Sequence, residues 1–304
     1  MADIALRFNK DMLVLSAPLE NTMMRQGIDY DRDWTYISLM EPESTEDAVR
    51  LESMSGAQCL VTPTKNITPA QLSHENMRDA LSALARANVE MLKAAKPQHI
   101  LCEIGPCGLP LDESDKNSLN ENKDQYARAA KAFADLQVDG LFFNGFRRIA
   151  DLKTALIGAR KVCDLPIFAS VILDETGKVG DYEESFDEAL AVMQDFEAAV
   201  AGFEVDADLA TIAGLASYAR KHTFLPLLVQ IPAHRSESKR PMHEEVGNFA
   251  SADDMVEAAL CLRAQGVQFL RATGNASPAY SAGLAAATMG LDVVLPIGEE
   301  VVDA

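Results

Sequence analysis

Short apolar runs alternate along the chain with amphipathic segments, and this alternation restricts the possible folds more than any other feature. The predicted strands cover residues 12–16, 58–62, 99–103, 140–144, 166–171, 201–205 and 226–230, and a last one starts at 266. The predicted helices cover residues 42–55, 76–95, 124–136, 150–162, 183–196, 208–221, 251–265 and 277–289. Continuously apolar strands bounded by Gly or Pro are typical of parallel sheets covered on both faces.

Eight strand-then-helix units predict an α/β fold, a single (β/α)8 barrel that occupies residues 1–304 as one domain. The main alternative is a doubly wound open sheet, which normally has fewer units and a Gly-rich first turn. Residues 16–20 read Ser-Ala-Pro-Leu-Glu and contain no G-x-G-x-x-G, which disfavours a dinucleotide fold. Polar segments at 17–22, 112–123 and 232–250 are expected to be loops.

The charge balance restricts the partners. The chain carries 46 acidic and 27 basic residues, a formal net charge of −19, which repels phosphate backbones and anionic lipid. We therefore expect a small-molecule substrate and neither nucleic acid nor membrane partners. Five cysteines without a repeated pairing favour a reducing compartment, and we expect a cytoplasmic protein without a signal peptide. Homo-oligomerisation stays open.

Barrel enzymes carry their chemistry at the carboxyl ends of the strands, so polar residues there are the candidate site. We predict Glu204, Glu103 and Cys107 as catalytic residues. The predicted substrate-binding residues are Ser16, Glu20, Asn21, Thr62, Thr64, Lys65, Asn144, Arg271, Thr273 and Asn275. Arg147, Gln230 and His234 are further candidates for the lining of the mouth.

Each candidate has a functional and a structural interpretation. Lys65, Arg147 and Arg271 together suit a carboxylate or phosphate, but Arg271 is equally compatible with a buried pair to Glu204 or Glu103.

The two glutamates suit acid–base work or a methylated ammonium group, and pairing with a cation is the structural alternative. Cys107 is either a thiol nucleophile or a small apolar filler. His234 and His243 are either loop histidines or a general base or metal ligand.

Six segments in order resemble the homocysteine S-methyltransferase family. Residues 13–27 (L-V-L-S-A-P-L-E-N-T-M-M-R-Q-G) are similar to its opening L-L-D-G-x-x-G-T-x-L-x-x-x-G, and residues 104–106 resemble its S-x-G-P turn. Residues 41–43 and 55–64 parallel its P-E, A-G-A-D and T-N-T segments, 138–144 parallel V-D-x-x-x-x-E, and 269–278 parallel G-G-C-C-G-T-x-P.

The resemblance implies a zinc ion held by three thiolates, which lowers the pKa of a substrate thiol in the open fourth position. In this chain Val205 stands where the first cysteine is expected, and Thr273 and Gly274 stand where the other two are expected. Asn144 replaces the acid after strand four. Zinc is therefore predicted absent, and no other tightly bound cofactor is expected.

These departures leave two main hypotheses from different classes. The first, towards which the sequence leans, is an enzyme of one-carbon metabolism that transfers a methyl group between small-molecule substrates or a corrinoid protein partner. It needs no three-cysteine zinc site, and a corrinoid or a folate serves as methyl carrier. The second is a catalytically inactive barrel that acts as a binding or regulatory subunit. A third hypothesis, a lyase or hydrolase that uses Glu103, Glu204 and Lys65, finds no supporting triad.

Overall fold

A computed structural model describes residues 3–28, 34–74, 80–180, 184–234 and 248–295 of the 304-residue chain. Eight parallel strands pair in chain order and close on themselves, because the first pairs with the last and the fourth with the fifth. This confirms the predicted (β/α)8 barrel. The strands are β1 Leu13–Leu15, β2 Cys59–Val61, β3 His99–Ile104, β4 Gly140–Phe146, β5 Ile167–Leu173, β6 Val200–Val205, β7 Leu227–Ala233 and β8 Val267–Gly274.

Helices surround the barrel, and five of the eleven in the described ranges begin within one residue of a predicted start. A two-strand antiparallel ribbon, Lys178–Val179 and Glu184–Ser185, extends β5 and was not predicted. The helices are α1 Leu19–Arg25, α2 Ile37–Met40, α3 Pro42–Met54, α4 Pro69–His74, α5 Leu81–Ala94, α6 Lys116–Ala134, α7 Ile149–Arg160, α8 Phe186–Asp195, α9 Leu209–His222, α10 Ala252–Ala264 and α11 Pro278–Thr288.

Two predicted loops are wrong. Residues 17–22 enter α1, which starts at Leu19 directly after Pro18 and is too short for apolar periodicity to reveal. The polar segment 112–123 enters α6 at Lys116, because Asp115 caps the helix by accepting a hydrogen bond from the Asn117 N–H.

The first turns of α6 pack through amides instead of apolar residues. Buried Gln125 accepts the Ala70 N–H at 2.8 Å, and buried Asn122 donates to the Pro110 carbonyl at 3.2 Å. A pattern search for apolar residues cannot detect such a helix face.

Other differences are smaller. Helix α4 was not predicted, and α5 begins at Leu81 instead of 76, with residues 75–79 outside the described chain. Helix α8 begins at Phe186 instead of 183, because Ser185 and Glu188 form a capping box. Most of the predicted loop 232–250 lies outside the described residues.

The barrel interior is filled from the amino-terminal end by apolar side chains. Phe168 and Phe269 meet edge to face at 4.9 Å between ring centroids, and Phe8 closes the bottom against both at 6.1 Å. Leu13, Leu101 and other inward residues of the strands join this cluster. The filled amino-terminal end leaves the opposite, carboxyl-terminal end of the strands as the place where a site is expected.

None of the helices in the described part of the chain has the length and apolar character that a membrane span requires.

Candidate active site

Four inward-facing side chains above the aromatic layer form a closed ring of hydrogen bonds. Asn144 Nδ2 donates to Glu103 Oε1 at 2.7 Å, and Gln230 Nε2 donates to Asn144 Oδ1 at 2.7 Å. Arg271 closes the ring, since Nη1 donates to Gln230 Oε1 at 3.3 Å and Nη2 to Glu103 Oε2 at 3.4 Å. The ring joins β3, β4, β7 and β8 across the barrel.

The ring is a buried polar layer. Glu103, Asn144, Gln230 and Arg271 are each at most 6 % exposed. Arg271 also donates from Nε to the Ser16 carbonyl at 3.0 Å, and its guanidinium lies 5.4 Å from the centroid of the Phe142 ring below it. Of the two interpretations of Arg271, the structure realises the buried pair, with Glu103 as partner.

Ser16, Thr62 and Thr64 lie beside the ring and are fully buried. Thr62 Oγ1 accepts the Glu103 N–H at 3.0 Å, and Thr64 Oγ1 donates to the Glu103 carbonyl at 2.7 Å. Ser16 Oγ accepts the Val61 N–H at 3.0 Å. These hydroxyls fix the backbone of the strand ends, so their position supports the ring; their predicted contact with substrate stays a prediction.

A second group of charges surrounds the ring at the mouth. Burial raises the pKa of the Glu204 carboxyl, and interactions with Thr273, Arg271 and Lys65 act against that rise. Burial also raises the pKa of Glu20, with the charge of Glu103 adding to the effect. The structure thus brings together Glu20, Glu103, Glu204, Lys65 and Arg271 within electrostatic reach.

The loop after β8 is clamped by α1. Asn21 Nδ2 donates to the carbonyls of Gly274 at 2.7 Å and Ala276 at 3.1 Å. Arg25 donates to the carbonyls of Ala276, at 2.9 Å, and Asn275. Asn275 is exposed, and its N–H donates to the Ala233 carbonyl at 2.9 Å. Asn21 therefore binds backbone in this structure.

Cys107 is not brought into the charged group. Its thiol donates to Asn122 Oδ1 at 3.1 Å, its N–H donates to the Tyr126 hydroxyl at 2.9 Å, and both partners lie on α6 outside the barrel. Burial raises the pKa of this thiol, so it is a neutral donor at pH 7. The predicted nucleophilic role gains no support from these surroundings.

The remaining candidates lie at the rim. His234 is bound to Asp206 Oδ1 through Nε2 at 2.6 Å, and the His234 side chain is 40 % exposed. Arg147 immediately precedes Arg148, which occupies the N-cap position of α7. His243 lies outside the described residues.

Two residues near the mouth escaped the sequence prediction. Ser170, an inward-facing residue of β5, accepts a hydrogen bond from Gln230 Nε2 at 2.9 Å. Its signal was a polar residue at an alternate position of an apolar strand. Glu52 of α3 is fully buried and accepts from the Ala17 N–H at 3.1 Å and the Ser281 hydroxyl at 2.9 Å. Nothing distinguishes Glu52 in sequence from the other acids of α3.

The donor set at the three positions expected for zinc thiolates does not fit a zinc ion. Val205 is an outward core residue, Gly274 has no side chain, and the hydroxyl of Thr273 is a poor zinc ligand. Gly274 also has φ +60°, and a Cβ there would lie 2.9 Å from the Ala233 carbonyl oxygen. Across the described ranges, no three His, Cys, Asp or Glu side chains are grouped to hold a metal ion.

The closed parallel sheet defines the chain as a (β/α)8 barrel with a charged, hydrogen-bonded mouth. The family model for homocysteine S-methyltransferase matches residues 19–270. The chain belongs to this family. The match ends at Leu270, directly before Arg271.

Solved structures agree on the fold. The metallated form of the homocysteine methyltransferase MmuM from Escherichia coli is 16% identical, with a TM-score of 0.74 over 91% of this chain and 96% of that one. Its oxidized form is 15% identical, with the same TM-score and coverage. A Rhizobium etli pyruvate carboxylase structure is 12% identical, with a TM-score of 0.54 over 91% of this chain and 24% of that one. No curated protein matches the chain.

Proposed function

We propose that the protein is a methyltransferase that moves a methyl group from nitrogen or oxygen of a small substrate to a corrinoid carried by a partner protein, without a three-cysteine zinc site. The observation that carries the proposal is the pair of carboxyls with raised pKa, Glu20 and Glu204, beside a buried ring that already satisfies Arg271. A substrate that presents no thiol needs no thiol-activating metal.

The two carboxyls outside the ring supply acid chemistry. Burial raises the pKa of Glu204, which favours the protonated carboxyl that could donate to a departing group. In the ionised form, Glu20 and Glu204 stabilise a methylated ammonium by charge. The ring beneath them holds Glu103 through the Asn144 amide and the Arg271 guanidinium, and keeps this carboxylate out of the reaction.

The bond between the methyl carbon and the substrate nitrogen or oxygen breaks, and its electron pair stays on that atom. The methyl carbon bonds to the reduced cobalt of the corrinoid, which provides the new electron pair. A neutral amine or ether substrate takes a proton from the protonated carboxyl, whereas a quaternary ammonium needs none.

The test is methyl transfer to free reduced cobalamin. Tertiary amines, quaternary amines and methoxy-aromatics are offered in parallel, with a folate acceptor as a separate arm, and loss of the reduced-cobalamin absorbance is followed. We expect turnover with one donor class and a large loss of rate in Glu204→Gln. Glu257→Gln on α10 is the surface control and should keep the wild-type rate.

Two results would contradict the proposal. Failure of every donor with every acceptor, together with the absence of ligand-induced stabilisation, favours the inactive binding subunit. One tightly held zinc ion per purified chain refutes the metal-free part. A ligand at 100 times its dissociation constant stabilises by about 2.7 kcal/mol, so thermal shifts detect such binding readily.

A further inference from the structure

Lys65 follows β2 and lies across the ends of β3 and β4, where two glycines leave room for its side chain. A Cβ on Gly105 would lie 2.7 Å from Lys65 Cγ, and a Cβ on Gly145 would lie 3.3 Å from both Cε and Nζ. The Gly105 N–H donates to the Lys65 carbonyl at 2.7 Å. The ends of two barrel strands therefore determine where this ammonium stands.

The Lys65 ammonium keeps its hydrogen-bonding capacity. Within the described chain, Nζ makes no hydrogen bond and no salt bridge, and it acts only at longer range on Glu20 and Glu204. Arg271, by contrast, uses all three of its nitrogens in the ring and at Ser16. Lys65 is exposed, so it is a positioned cation whose three donors face solvent at the mouth and are open to a ligand.

We infer that Lys65 is the anion-binding residue of this site and that the substrate is a small organic monoacid whose carboxylate it holds. The inference rests on the proposed function and assigns the substrate class: the methyl-bearing end points towards Glu204 and the acid end towards β3 and β4. The residue determines specificity through binding and takes no part in the methyl transfer.

Charge decides between a carboxylate and a phosphate. Glu20, Glu103 and Glu204 oppose Lys65 and Arg271, so the fully ionised group has one excess negative charge. A monoanion is accommodated when one of the two flanking carboxyls binds a proton, whereas a dianion is repelled more strongly. Binding is therefore expected to take up a proton and to weaken as pH rises.

Matched ligand pairs test the inference by calorimetry on the full chain. A methoxybenzoate is compared with its primary amide, and dimethylglycine with its amide. We expect each acid to bind wild type about tenfold more tightly than its amide, which corresponds to about 1.4 kcal/mol. Lys65→Met should remove this preference without changing the affinity for the amides, Lys65→Arg should restore most of it, and Lys131→Met on α6 should behave as wild type.

The outcomes separate this inference from the proposed function. Equal affinity for acid and amide in wild type, an unchanged preference in Lys65→Met, or no binding of any acid overturns the inference. Tighter binding of inorganic phosphate than of acetate overturns the monoacid class. Methyl transfer from the amides alone would support the proposed function but contradict the role of Lys65 in binding a carboxylate. Lys65-dependent binding of the acids without methyl transfer would support that role but contradict the proposed function.

Discussion

The buried ring makes a quantitative prediction about the Arg271–Glu103 pair. The Nη2–Oε2 distance of 3.4 Å is long for a charge-assisted hydrogen bond, whereas Asn144 approaches the other oxygen at 2.7 Å. The Arg271 contribution is therefore mainly charge compensation. Arg271→Met leaves the Glu103 carboxylate buried without its cation, and removing one partner of a buried pair costs about 3–5 kcal/mol.

A double-mutant cycle isolates the pair. Glu103→Gln keeps a similar shape but leaves Arg271 buried and unpaired, so we expect a loss of similar size. The double variant Glu103→Gln/Arg271→Met removes both charges. It should be about 2 kcal/mol more stable than the sum of the two single losses predicts. Urea denaturation followed by far-ultraviolet circular dichroism measures all four proteins.

A surface arginine provides the control. Arg263→Met on α10 removes one hydrogen bond to the Asp292 carbonyl at an exposed position, and it should change the free energy of unfolding by less than about 0.5 kcal/mol. A coupling energy near zero, or a loss below about 1 kcal/mol in Arg271→Met, would refute the argument that charge compensation holds this layer together.

Three further predictions follow from single residues. Burial raises the pKa of Glu52 from 4.5 to about 7, so the folded protein binds the extra proton and stability falls as pH rises between those values, by about 3 kcal/mol in total. Glu52→Gln should flatten this part of the stability profile, and an unchanged slope would contradict it. Asn144→Asp places a second carboxylate 2.7 Å from Glu103, and the two cannot both ionise. Its stability relative to wild type should therefore decrease between about pH 4 and about pH 8, as denaturation at several pH values would show. Gly274→Ala should lower the free energy of unfolding by more than the ~1–2 kcal/mol that a left-handed backbone costs a non-Gly residue. The added Cβ would also lie 2.9 Å from the Ala233 carbonyl oxygen. Gly27→Ala, at φ +87° in open space, is the matched control in thermal unfolding.

Local sequence patterns predicted which residues lie at the strand ends, but not how those residues pair. Glu103, Asn144 and Arg271 were predicted at the mouth because each is a polar residue near the carboxyl end of an apolar strand. Their partners were left open, since Glu103 and Arg271 are 168 positions apart and Gln230 and Asn144 are 86 apart. Such pairings depend on barrel closure and register, which local sequence does not contain.

Apolar periodicity does not predict helices, or buried residues of helices, whose packing is polar. The start of α6 was missed because Asn122 and Gln125 pack it through hydrogen bonds, and Glu52 was missed because its burial depends on Ser281 of a helix at the other end of the chain. Apolar periodicity reports burial only where burial is apolar.

The sequence alone determined the barrel, because eight apolar runs alternating with amphipathic segments must cover both faces of a parallel sheet. It also showed that Val205, Thr273 and Gly274 stand where the family resemblance places thiolates. Only the tertiary structure decided that Arg271 is satisfied by the protein while Lys65, within the described residues, is not. Hydrogen-bond saturation depends on distances of a few ångströms between strands remote in the chain, and such distances exist only after folding.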